Sequence, residues 1–152
     1  MCGPAIYARR LEAQSMVRLS TDSELWRRGH PKPIPSTEVH NEIETQLRQR
    51  LLELVAAGRD VVLDFSFWSG GMRNEYRRLL APTGVIPERV YVVTDRETAL
   101  ARVRARRGTH PDDVVLPPEV AARYIDHFEP PTADEGPLTV VDGEGPPPDT
   151  PR

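Results

Sequence analysis

The chain has 152 residues, of which 28% are charged and 38% hydrophobic, and its formal net charge is -3. This length and composition are typical of one soluble globular domain, and no apolar run approaches the roughly 20 residues of a membrane span. The single cysteine, Cys2, excludes an internal disulfide. Because a signal-peptide pattern is also absent, the sequence predicts a cytoplasmic protein that does not bind a membrane.

The charge is distributed unevenly along the chain. Residues 129–152 hold six acidic side chains and one arginine, so residues 1–128 carry a net charge of +2. Lys32 is the only lysine, and the remaining basic charge is arginine, whose planar guanidinium suits phosphate groups. A surface that binds duplex nucleic acid needs a larger positive excess, so no nucleic-acid partner is predicted.

Hydrophobic periodicity and turn residues predict the elements of the first half. An amphipathic helix runs onward from Ala5, and a loop with at most one helical turn covers residues 23–37. The longest helix begins at Ser36 or Thr37 and ends at Gly58, and its predicted apolar stripe is Val39, Ile43, Leu47, Leu51 and Leu54 or Val55. Two strands are predicted, at residues 16–22 and 60–68, the second a nearly continuous apolar run of the kind found in buried parallel strands.

Helices and strands also alternate in the second half. Helices are predicted at residues 70–84, 96–108 and 117–131, and strands at residues 88–95 and 138–143. Residues 144–152 are too rich in proline and polar side chains to pack, so a disordered tail is predicted there. Residues 1–143 are predicted to form a single domain.

This alternation predicts an α/β domain with a parallel sheet and helices on both faces. Ligands of such sheets bind beyond the carboxyl ends of the strands, where the sequence places four carboxylates: Asp22, Asp64, Asp95 and Asp142. Asp95 and Asp142 are interpreted as ordinary turn or cap residues. Asp64 is the stronger candidate for a functional site, because it lies within an apolar run, where a carboxylate needs a partner.

Several segments together resemble the compact P-loop kinases. The group includes nucleoside monophosphate kinases, chloramphenicol phosphotransferases, zeta-toxin-like kinases and bacterial predicted small-molecule kinases, or ATP-binding proteins, of the AAA-domain type. The last is the most similar. The segments that carry the resemblance are "YARRLEA", "LSTD", "GRDVVLDFSFWS", "DRETALARVRARR" and "FEPP".

The resemblance implies ATP and Mg²⁺ as cofactors and an unidentified small-molecule hydroxyl as the phosphoryl acceptor. Asp64 matches the acidic residue that holds Mg²⁺ directly or through water. Asp22 matches the acid that accepts the proton of the attacking hydroxyl. Both are therefore predicted to be catalytic.

Four arginines complete the predicted site. Arg102 and Arg106 are four residues apart, a spacing that is expected to place both on one face of the predicted helix. They match the lid pair of nucleotide kinases, in which the first packs on adenine and the second contacts phosphate. Arg73 and Arg77 repeat the same spacing and are candidates for substrate or phosphate binding. Solvated helix faces remain an alternative for all four, and Trp26 and Trp68 are interpreted as core or pocket wall.

The expected phosphate loop has no counterpart in the sequence. No G-x-x-x-x-G-K-[ST] motif is present, and "MCGPAI" stands where relatives have a strand and that loop. The resemblance implies a three-layer sheet of strand order 2-3-1-4-5, so its first, central strand is expected to be missing or truncated. Loss of about five buried apolar residues forfeits roughly 10 kcal/mol.

Three alternatives remain for function. The chain is an ATP-binding kinase-type protein with impaired phosphoryl transfer, a non-catalytic nucleotide-binding or interaction module, or an inactive truncated fragment. Because the first helix retains the positive end of its dipole, a weak attraction for anions is expected there.

Overall fold

The computed structural model describes residues 4–29, 36–111 and 114–143. The predicted disordered tail at residues 144–152 and Lys32 lie outside these ranges. The elements in chain order are α1 (Pro4–Ala13), β1 (Val17–Ser20), α2 (Thr21–Arg27), α3 (Thr37–Ala56), β2 (Val61–Asp64), α4 (Gly70–Leu80), β3 (Arg89–Val93), α5 (Arg96–Arg104), α6 (Pro118–Asp126) and β4 (Leu138–Asp142). Short 3₁₀ turns cover Ala81–Thr83 and Ala133–Glu135. Among the described helices, none is long and apolar enough to cross a membrane.

The four strands form two separate parallel pairs. β1 pairs with β2, with Ser20 opposite Asp64, and β3 pairs with β4, with Val93 opposite Asp142. Within the described residues, no backbone ladder joins one pair to the other. The prediction of an α/β domain with parallel strands is confirmed, but the strands form two small sheets. When the missing strand is counted as strand 1, β1 and β2 correspond to strands 2 and 3 of the expected order 2-3-1-4-5, and β3 and β4 correspond to strands 4 and 5. The full order stays a prediction.

The segment after β1 differs from its prediction. The strand ends at Ser20, whose hydroxyl accepts a hydrogen bond from the backbone N–H of Ser23, and α2 follows for seven residues. The serine cap and the acidic side chains of Asp22 and Glu24 in the first turn both stabilise a helix here. Asp22 therefore lies on a helix and not at the end of a strand.

The apolar run after Arg59 is also shorter as a strand than predicted. β2 ends at Asp64, and Phe67 has a φ of 36°, which turns the backbone out of the extended conformation. The rings of Phe65 and Phe67 pack on Tyr76 of α4, with centroid separations of 5.6 Å and 5.2 Å. The apolar character of residues 65–68 thus reflects packing beyond the strand.

The main core lies on one side of the molecule, against the β1–β2 pair. Its buried members come from β1, α2, α3 and α4: Leu19, Leu25, Ile43, Leu47, Leu51, Leu54, Tyr76 and Leu80. The predicted apolar stripe of α3 is confirmed, and Gly58, with a φ of 72°, follows the helix as expected. The β3–β4 pair contributes no residue to this cluster, and its Val140 is 61% exposed.

Candidate functional site at the carboxyl ends of the strands

The two carboxylates predicted to be catalytic lie at the same edge of the β1–β2 pair. Asp64 is the last residue of β2 and stands opposite Ser20, the last residue of β1. Asp22, which is exposed, follows Ser20 by two residues and lies in the first turn of α2. The parallel register therefore brings both to the edge at which α/β sheets bind ligands.

The partner that burial of Asp64 requires is Arg18. Its Nε and Nη2 donate to Oδ2 of Asp64 at 3.1 Å and 2.5 Å, and the two side chains are 8% and 15% exposed. Arg18 was not among the predicted site residues. The available signal is that Arg18 and Ser20 lie on the same face of β1, so a register that places Ser20 opposite Asp64 also brings Arg18 near it.

The described residues offer limited coordination for a metal ion. No group of three or more His, Cys, Asp or Glu side chains within them could hold one. Arg18 Nε and Nη2 both donate to Oδ2 of Asp64. Mg²⁺ is commonly held by one or two carboxylates together with phosphates and water. Asp64 therefore fits a metal ion that is also coordinated by substrate phosphates. It does not fit an ion held by protein side chains alone.

Arg102 and Arg106 do not share a helix. α5 ends at Arg104, so the expectation that both arginines project from one helical face is wrong. Arg102 Nη2 donates to the backbone oxygen of Gly143 at 2.7 Å, just beyond β4, and Arg106 Nη1 donates to that of Val114 at 3.3 Å. Gly108, with a φ of 72°, follows in the irregular segment beyond the helix. The assignment of both arginines to nucleotide binding stays a prediction.

Arg73 and Arg77 lie on α4, as predicted, and their guanidinium groups make internal contacts. Arg73 donates to Glu135 Oε1 at 3.1 Å and to the backbone oxygen of Phe67 at 2.8 Å. Arg77 donates to the backbone oxygen of Glu135 and, at 2.8 Å, to Asn74 Oδ1. These contacts give both arginines a structural role, and substrate or phosphate binding by them stays a prediction.

Glu135 joins α4 to the β3–β4 pair. Besides Arg73, its carboxylate accepts from Arg89 Nη1 at 2.7 Å and from the backbone N–H of Thr132 at 2.8 Å. Burial opposes ionisation of this carboxyl group, but the Thr132 N–H and the two guanidinium groups outweigh it and hold the pKa of Glu135 below its ordinary value. A mostly buried, charged cluster therefore links α4 to the β3–β4 pair.

Glu129, from the "FEPP" segment, fixes the loop between β2 and α4. Its Oε2 accepts from the backbone N–H of Gly70, the first residue of α4, at 2.8 Å. Its own backbone N–H donates to the backbone oxygen of Trp68 at 2.8 Å. A carboxylate at a helix N-terminus satisfies an unpaired donor and complements the helix dipole, which gives this acidic residue a structural explanation.

Replacement of Glu129 by alanine is expected to lower the free energy of unfolding by about 1 kcal/mol, because a donor at the start of α4 loses its acceptor. Urea unfolding followed by circular dichroism measures the change. Glu129→Gln keeps a side-chain oxygen acceptor and is the control, with an expected loss of about half that size. Equal losses for the two variants would contradict a role for the hydrogen bond.

The remaining candidates divide into a structural residue and two exposed aromatic residues. Asp95 caps α5, because its carboxylate accepts from the N–H of Thr98 at 2.9 Å, and this confirms its interpretation as a cap residue. Trp26 on α2 and Trp68 after β2 are 41% and 39% exposed. Both tryptophans follow the carboxyl ends of the β1–β2 pair, and neither is a core residue.

The comparisons with known proteins identify a family. A family model described as AAA domain matches residues 3–131, which is most of the chain. No curated protein and no solved structure gives a significant match. The family is P-loop NTPase-like and includes kinases, which agrees with the small parallel sheets described above. The chain belongs to the AAA domain family.

Proposed function

We propose that the chain is a nucleotide-binding protein of the P-loop kinase type. Its ancestral reaction is phosphoryl transfer from Mg-ATP to the hydroxyl of a small molecule. The observation that carries the proposal is the position of Asp22 and Asp64 at one edge of a parallel strand pair, in a chain that belongs to this family. No sequence match specifies the acceptor.

Four of the predicted residues have proposed roles in this reaction. Arg102 lies beside the backbone of Gly143, beyond β4, where it is suited to contact the nucleotide base. Arg106, which follows the end of α5 and donates to the backbone oxygen of Val114, is proposed to contact phosphate. Asp22, exposed on α2, is suited to accept the proton of the acceptor hydroxyl. When bound, Mg²⁺ neutralises charge on the phosphate oxygens, and Asp64 is the residue that would hold it.

Phosphoryl transfer by this chain is expected to be weak. The sequence has no G-x-x-x-x-G-K-[ST] motif, and its only lysine is Lys32. α1 begins at Pro4, which has no N–H to donate to a phosphate, so the first donor in its described turn is Ala5. We therefore propose that this chain retains nucleotide binding, through contacts to the base and through its arginines, better than it retains phosphoryl transfer.

An equilibrium titration with Mg-ATP tests the proposal. Submillimolar binding is expected, and Arg106→Ala and Asp64→Asn are each expected to weaken it about tenfold, because each removes a charged contact to the nucleotide complex. Arg96→Ala is the matched control: Arg96 lies on α5 and pairs with Asp126 on the surface, so its removal is expected to leave the affinity unchanged.

Two other results would contradict nucleotide binding and favour one of the alternative functions. Absence of binding by a chain with a well-developed near-ultraviolet circular dichroism spectrum would favour a non-catalytic interaction module. Absence of that spectrum, with helical far-ultraviolet signal retained, would favour an inactive fragment. Equal loss of affinity in Arg96→Ala and Arg106→Ala would show a non-specific effect of positive charge.

A further inference from the structure

We propose that Trp68 binds the phosphoryl acceptor by packing on a flat apolar face of that molecule, either an aromatic ring or the CH face of a sugar. The inference rests on the proposed function, since it names the class of hydroxyl compound that the site at Asp22 and Asp64 takes. It assigns Trp68 a specificity-determining role and gives it no part in the chemical step.

The burial pattern places Trp68 on the same side of its segment as Asp64. Side chains of an extended chain point alternately to opposite sides. The side chains that pack against the main core are the odd-numbered ones: Val61, Leu63, Phe65 and Phe67. The even-numbered Ser66 and Trp68 are exposed, so the alternation continues beyond the end of β2. Four residues of extended chain span at most roughly 14 Å, which is within reach of one small molecule at Asp64.

The backbone on both sides of Trp68 is held by hydrogen bonds. Arg73, whose side chain is 6% exposed, donates from Nη1 to the backbone oxygen of Phe67 at 2.8 Å, where the φ of 36° needs support from its surroundings. The backbone N–H of Glu129 donates to the backbone oxygen of Trp68 at 2.8 Å, and its Oε2 accepts from the N–H of Gly70 at 2.8 Å. The indole is therefore presented by a fixed loop, which lowers the entropic cost of binding.

The indole of Trp68 is not used inside the protein. Within the described residues, the rings of Phe65, Phe67 and Tyr76 contact one another, and Trp68 joins neither that cluster nor any side-chain hydrogen bond. Single exposed apolar side chains are common on protein surfaces. Trp68 differs because it stands on a fixed loop at the edge where α/β sheets bind ligands, and because indole offers a large flat face and an N–H donor.

Two small hydroxyl compounds with a flat apolar face are the probes: benzyl alcohol, which is aromatic, and methyl glucoside, which is a sugar. Glycerol is the control compound, because it has hydroxyl groups but no flat face. The chain has two tryptophans, so Trp68→Phe assigns the two indole N–H signals in a proton–nitrogen spectrum. At least one flat compound is expected to shift the Trp68 indole and the amides of residues 64–69 saturably, and glycerol is expected to shift neither. The compound that binds distinguishes an aromatic acceptor from a sugar.

Variants then test the indole itself. Trp68→Ala is expected to weaken binding of that compound about fivefold, followed at the amides of residues 64–67, and Trp68→Phe about twofold, because a smaller ring keeps part of the contact. Tyr124 on α6 is the matched control, since it is an aromatic residue that is 48% exposed. Tyr124→Ala is expected to leave the affinity unchanged.

Absence of a saturable shift at residues 64–69 with both flat compounds would overturn the proposal, as would equal losses in Trp68→Ala and Tyr124→Ala. Should Trp68→Ala not fold, Trp68→Phe decides, and an affinity equal to that of the wild-type chain would overturn the proposal. The experiment contains no nucleotide. Mg-ATP binding without binding of either flat compound would therefore overturn the acceptor class alone, whereas the reverse result would contradict the proposed function.

Discussion

Replacement of Glu135 by alanine is expected to lower the free energy of unfolding by about 3 kcal/mol at neutral pH. The substitution leaves Arg73 and Arg89, whose side chains are 6% and 12% exposed, without the carboxylate that they share. Uncompensated charges in so little solvent are strongly unfavourable. Urea unfolding followed by circular dichroism measures the change, with the slope of the transition as a check for two-state behaviour.

Asp126 is the control for Glu135, because it is also a carboxylate paired with an arginine but lies on the surface. It is 46% exposed and contacts Arg96 at 2.7 Å. Asp126→Ala is expected to change the free energy of unfolding by less than about 1 kcal/mol. Similar losses for the two variants would show that the buried cluster contributes no more than a surface pair.

The same carboxylate predicts a pH dependence. The pKa of Glu135 in the folded chain is below the ordinary value of 4.5, so its ionised form stabilises the folded state at neutral pH. That contribution is complete above the ordinary value and is lost as the pH falls through the folded value. The stability difference between wild type and Glu135→Gln is therefore expected to shrink below pH 4.5. A constant difference down to pH 3 would contradict the assignment of the shift.

Local patterns predicted the elements of the fold but not how the strands associate. The stripe of α3 and the cap at Ser36 are local features, read from helical spacing and one hydroxyl side chain. The predicted ends of β1 and β2 were wrong for equally local reasons: Ser20 caps a helix where a strand was predicted to continue, and Phe67 leaves the extended conformation within an apolar run. The division into two strand pairs depends on pairing partners, which periodicity does not encode.

The candidate site shows the same limit. The sequence predicted Asp22 and Asp64 at strand ends, because carboxylates after apolar runs are a local signal. Asp64 does end β2, whereas Asp22 lies on α2. It did not identify Arg18 or Glu135, whose importance comes from partners 46 and 62 residues away. Such contacts depend on strand register and on how α4 meets the segment before β4. Residue type and spacing along the chain therefore identified candidates, but not which charges are already neutralised.

The largest effect on stability is expected from Ile43→Ala, with a loss of about 4 kcal/mol in the free energy of unfolding. Ile43 on α3 is 0% exposed and lies within the cluster that also contains Leu19 and Tyr76. Removal of its side chain leaves a cavity among residues held by β1, α2 and α4, and their backbones limit how far the space can close. Urea unfolding measures the loss.

Ile86→Ala is the matched control for this substitution. Ile86 is 76% exposed, so the same chemical change is expected to alter the free energy of unfolding by less than about 0.5 kcal/mol. Because the cluster includes β1 and excludes the β3–β4 pair, Ile43→Ala is also expected to speed amide hydrogen exchange most in α3, β1 and β2. Equal acceleration in β3 and β4 would contradict a core confined to the half that carries Asp64, and would show instead that both strand pairs unfold as one unit.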